Sequence, residues 1–162
     1  MYFERLSAII FLNKLNITNI KSTYGYIGFI PFAVFSLLPW IIGGDAGKTL
    51  IIFQIGYGSI IIAFLGGIPW GWKDDQKNKQ FNLSIGILFS LFGCLILLLT
   101  YFEKILIALL FSLCCFYFFY IFEKSTEEFK LKDDDYKKFR KILTLLVCIS
   151  FLISSWYWIN PY

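Results

Sequence analysis

The acidic run Asp133-Asp134-Asp135 and the cysteines Cys94, Cys114, Cys115 and Cys148 are the residues of this chain best equipped for chemistry. Three adjacent carboxylates attract divalent cations, but this run lacks the glycine and the distal glutamate of a calcium loop. Lys137 and Lys138 follow it directly, so a solvated loop balanced by lysines is the expectation. The cysteines show no C-x-x-C spacing and sit in apolar runs, where a thiol packs as a small hydrophobe. The chain has no histidine, and its one methionine is Met1. That removes the commonest ligand for zinc, copper and haem, and the usual general base near neutral pH. Serines are present, yet neither a histidine nor an intramembrane carboxylate stands by to activate one. The glycine stretches IGYGS and GGIPWG lie in apolar sequence, away from any strand–helix phosphate loop. The reading is therefore non-enzymatic, with no cofactor, no metal and no nucleic acid.

The elements that carry these residues follow from composition. Over 162 residues, 58% are hydrophobic, 21% aromatic and 16% charged, against about 25% charged in an ordinary soluble domain. The charges are bunched between long apolar runs, each near the ~20 residues needed to cross a bilayer. The expected fold is an all-α integral membrane bundle of five transmembrane helices, about residues 24–42, 49–72, 81–102, 105–122 and 142–159. The transmembrane domain is then 24–162. Residues 1–23, with Phe3, Leu6, Ile9 and Ile10 among Arg5, Lys14 and Lys21, fit a tail or a helix lying in the interface. Read as one helix, residues 81–122 would extend about 63 Å, roughly twice the core thickness. The chain must therefore turn back at Glu103-Lys104. No charged residue falls within any expected span, which argues against a proton or ion pump.

Charge sets the orientation. In a five-span chain the N-terminal tail, the second loop and the fourth loop share one face, and they hold every lysine and arginine except Lys48 and Lys104. The positive-inside rule puts that face, and the N-terminus, in the cytoplasm or the mitochondrial matrix. Trp40, Trp70, Trp72, Trp156 and Trp158 fall at span ends, as an interfacial aromatic belt requires.

Within the spans the second is the most patterned. Gly56, Ser59, Ala63 and Gly67 recur every three or four residues, giving a small-residue face on which another helix packs closely. Gly67→Leu is accordingly expected to disrupt the bundle. In the first span, Gly25 and Gly28 precede Pro31, where a kink is expected. A crevice between these two spans is the alternative, functional use of the pattern. Arg140, at the basic end of the fifth span, suits either a lipid phosphate or an acidic residue of the fourth loop.

These segments carry a resemblance. YGYIGFIPF (24–32), YGSIIIAFLGGIPWG (57–71) and YKKFRKILTLLV (136–147) resemble three signatures of the domain-of-unknown-function 3429 family. The matching positions are Gly25, Gly28, Pro31 and Phe32, then Tyr57, Gly58, Phe64, Gly66, Gly67, Trp70 and Gly71, then Tyr136, Arg140, Leu143 and Thr144. The chain departs from the pattern at Pro69, where a His or Arg is usual, and in a third span without proline. The resemblance implies a five-span protein of the mitochondrial or bacterial inner membrane and transfers no activity. Together these readings favour a structural or accessory subunit of a larger membrane complex, in contact with lipids and other membrane-protein subunits. A passive channel or small-molecule transporter is the alternative.

Overall fold

The computed structural model describes residues 23–72 and 79–160. The interfacial helix expected over residues 1–23 and the second loop with Lys73 and Lys77 lie outside the described residues, Thr23 excepted. Five helices are long and apolar enough to cross a membrane: Thr23–Ile42, Gly44–Gly71, Lys79–Tyr101, Ile105–Ser125 and Asp134–Ile159. A short helix, Glu127–Lys130, links the last two. Among the described residues there is no strand. The chain is an all-α, five-span integral membrane protein, as its apolar runs predict.

The boundaries shift where local chemistry extends a helix beyond the apolar run. The second helix begins at Gly44, not near Thr49, because the reversal after the first span is compressed into Gly43 and Gly44. Both have positive φ (69° and 56°), which glycine adopts without a Cβ clash. The turn between the third and fourth spans is equally tight. Lys104 N–H donates to the Leu99 carbonyl at 2.8 Å and Glu103 N–H to that of Thr100 at 3.0 Å, a Schellman closure. Glu103 itself takes the left-handed position at φ 58°.

The fifth helix starts at Asp134, eight residues before the expected span. The aspartate run is therefore a helix start instead of a loop. Asp133 is the N-cap residue, Asp134 and Asp135 occupy the first turn, where negative charge suits the helix dipole, and Asp134 pairs with Lys137 at 3.2 Å. Among the described residues no group of acids, cysteines or histidines is placed to hold a metal ion. In the first span the helix passes Pro31 without interruption, and its break falls at Leu38, ahead of Pro39. A proline lacks the N–H that would continue the ladder, so Pro39 opens a new turn.

In a bilayer, helices gain little from the hydrophobic effect and associate through close packing and hydrogen bonds. The second and third spans meet along a seam of small residues. Ser59, Ala63 and Gly66 face Gly93, Ser90 and Gly86 in antiparallel order. The Ser90 hydroxyl donates to the Ala63 carbonyl at 3.3 Å across that seam. Phe32 pins the first span to three others, with its ring edge-on to Tyr57, Phe116 and Phe151 at 4.9, 5.6 and 5.7 Å. The second and fifth spans are joined in the core by Gln54, which is wholly buried. Its Nε2 donates to Ser150 Oγ at 3.2 Å, and its Oε1 accepts from Ser154 Oγ. These three polar side chains thus form one helix-to-helix cluster.

Candidate functional site

The ends of the bundle differ in character. At one end Trp72 stacks on Phe122, and Gly25 lies against the Phe139 ring. At the other, Tyr157 is wholly buried against Gly47 and Trp40. Lys124, Lys130, Lys132, Lys137, Lys138, Arg140 and Lys141 belong to the first end; Lys48 and Lys104 belong to the second.

At the basic end the fourth and fifth helices are tied by a buried ion pair. Arg140 Nε donates to Glu123 Oε2 at 2.6 Å, with the two side chains only 10% and 5% exposed. Tyr136 donates its hydroxyl to Glu123 Oε1 at 3.3 Å, so both carboxylate oxygens are occupied. The guanidinium also lies 5.9 Å from the centre of the Phe119 ring. The hydroxyl of Thr126, itself bonded to the Glu123 carbonyl at 2.7 Å, accepts from Phe129 N–H and starts the linking helix. The spans expected from the sequence hold no charge, but the helices run past them and take in this pair. Glu123 sits in the last turn of the fourth helix, and Arg140 lies nearly two turns into the fifth. Of the two uses expected for Arg140, pairing with an acid beyond the fourth apolar run is the one observed. Glu123 escaped notice because it lies one residue past that run, on a face visible only once the fifth helix is extended backward.

Beside this pair is a crevice of about 220 Å³, bounded by the first, second, fourth and fifth spans. Phe32, Leu65, Phe116 and Val147 form its buried floor, while Tyr24 and Phe64 at its mouth are each 70% exposed. It therefore opens sideways. Gly28 leaves room along the first span, the space at Gly25 is taken by the Phe139 ring, and Arg140, Leu143 and Thr144 line the side formed by the fifth. All three segments that carry the family resemblance contribute to this one crevice. The first two are also bonded to each other: Tyr57 donates to the Gly28 carbonyl at 2.8 Å.

The small residues of the second span divide into two sets. Ser59, Ala63 and Gly66 are internal, on the seam with the third span. Gly56, Gly67 and Gly71 have nothing within 4 Å of an added Cβ, and Trp70 beside them is 62% exposed. Gly67 is thus not part of the internal seam, and the expectation that Gly67→Leu breaks the bundle passes to Gly66, one residue earlier and about 100° round the helix. Pro31 is half-buried in an unbroken helix. Sequence reasoning missed Gly86 and Gly93 and gave Gly58 only as a signature position; added Cβ atoms at Gly58, Gly86 and Gly93 would meet Phe151, the Gly66 carbonyl and the Ser59 carbonyl. Gly86, Ser90 and Gly93 repeat at helical spacing in the third span, a signal as legible as the one in the second.

A family described as protein of unknown function (DUF3429) matches residues 18–156. No curated protein and no solved structure gave a match.

Proposed function

The chain belongs to the DUF3429 family, and from that premise we propose that it is a non-enzymatic accessory subunit of a larger assembly in a bacterial or mitochondrial inner membrane. One observation carries the reading: the second span holds two small-residue faces, and the bundle uses one of them. Gly56 and Gly67 are open, and eleven residues at about 100° each return to nearly the same face. Gly56 forms part of a shallow groove with Phe35, Phe53, Ile60 and Leu97 as walls. A transmembrane helix from another subunit fits such a groove, because backbone atoms approach closely where side chains are absent. The core polar groups support the same reading, since Gln54, Ser150, Ser154, Glu123 and Arg140 are engaged in tying helices together. Purification in mild detergent tests it, with partner subunits expected in fixed ratio to the chain.

The basic end faces the cytoplasm or matrix in this proposal, following the lysine distribution. Single cysteines placed at Lys138 and Lys48 should be labelled by a membrane-impermeant reagent from opposite sides, Lys138 from the inside. Labelling of both from one side is incompatible with that orientation.

A further inference from the structure

We propose that the lateral crevice holds the acyl chain of an anionic phospholipid from the leaflet at the basic end, with the lipid phosphate on Arg140. The inference stands apart from any protein partner and survives if the accessory reading fails.

The crevice opens toward hydrocarbon. Its mouth residues Tyr24 and Phe64 are exposed on the outside of the bundle, its floor is apolar, and Gly28 leaves a gap between the Tyr24 and Phe32 side chains of its first-span wall. An apolar cavity open to the bilayer forfeits dispersion contacts when empty, and the bilayer offers acyl chains to fill it. A head group is selected by the charges at one end. Arg140 lies six residues into the fifth helix, about 9 Å from its start, near head-group depth rather than mid-membrane. Its guanidinium carries five N–H donors, and the Nε–H is the one bonded to Glu123. The same contact orients the fork, leaving the donors of the two terminal nitrogens for a planar, bidentate grip on phosphate. Thr144 lies one turn further in on the same face.

Glu123 balances the charge of Arg140, so the preference for an anion comes from the surroundings. Lys138 and Lys141 are exposed in the same turn of the fifth helix as Arg140, on faces turned away from the crevice toward the head-group layer, and neither has a carboxylate partner among the described residues. Lysines near a membrane surface attract anionic lipid. Apolar room, an oriented arginine and neighbouring exposed lysines together match the two parts of an anionic phospholipid.

The full chain, purified in mild detergent, is mixed separately with phosphatidylglycerol, phosphatidylcholine or inorganic phosphate. Bound lipid is read by native mass spectrometry and stability by thermal unfolding. Phosphatidylglycerol should be retained about tenfold over phosphatidylcholine and should raise the midpoint, whereas inorganic phosphate should not. Leu143→Trp, which fills the crevice from its lining, should lose the retained lipid of both kinds. Lys138→Ser with Lys141→Ser, both on the surface, should keep the fold and bring the two lipids to near-equal retention. Equal retention of the two lipids by the parent overturns the proposal, as does protection by inorganic phosphate alone. So does an unchanged preference in the double lysine variant or undiminished retention in folded Leu143→Trp.

Discussion

Arg140→Met should lower the stability of the bundle in detergent by ~3–5 kcal/mol, a fall in thermal midpoint of roughly 6–20 °C. The single change leaves the Glu123 carboxylate 5% exposed, with the Tyr136 hydroxyl as its remaining side-chain donor. An unpaired charge in that position must either draw in water or take up a proton, and both weaken the junction of the fourth and fifth helices. The double variant Arg140→Met with Glu123→Leu removes both charges and restores an apolar contact. It should recover most of the loss, because replacing a whole buried ion pair with packed side chains is often neutral or stabilising. Thermal unfolding of the three proteins checks the expectation. If the double variant falls as far as the single one, the stem of Arg140 matters and its charge does not.

The second large effect belongs to the seam between the second and third spans. Gly66→Leu should cost at least ~1–3 kcal/mol and broaden or abolish cooperative unfolding. A Cβ at Gly66 would run into the Gly86 carbonyl oxygen and the Ser90 hydroxyl, with Ser90 N at 3.0 Å, and backbone cannot swing aside as a side chain does. The helices would have to separate along the contact that Ser90 bridges to Ala63. Gly67→Leu, one residue on, has nothing within 4 Å and should stay within about 0.5 kcal/mol of the parent. Equal midpoints for the two variants would mean that the second and third spans do not approach as closely as the structure shows.

That contrast marks the limit of what the sequence makes legible. Five spans, their order and the tight turn at Glu103-Lys104 are readable because helix length must match bilayer thickness, while the reversal at Gly43-Gly44 is tighter than the apolar boundaries at 42 and 49 imply. The register of a small-residue face is not readable to one residue. A stripe through Gly56, Ser59, Ala63 and Gly67 and another through Ser59, Ala63 and Gly66 differ by less than a third of a turn, and the partner's Gly86 and Gly93 decide between them. The buried pair was half legible. Arg140 stands out in sequence, while Glu123 looks like the first residue of a polar loop until helical periodicity is carried back through Lys137 to Asp134. Gln54, Ser150 and Ser154 looked unrelated because residues about a hundred positions apart meet only through the topology. The three resemblance-bearing segments fit the same description: separate in sequence, they share one crevice.

In the proposed role the chain acts through contact with other subunits, using the outer face of its second span. The most direct test is co-purification in mild detergent of the parent and of Gly67→Leu, with Gly56→Leu as a second variant on the same face. The parent should emerge in fixed ratio with partner subunits, and both variants should lose them while keeping the parent's thermal midpoint. A parent that emerges alone and, reconstituted by itself, takes up solute saturably would contradict it and establish the transporter instead.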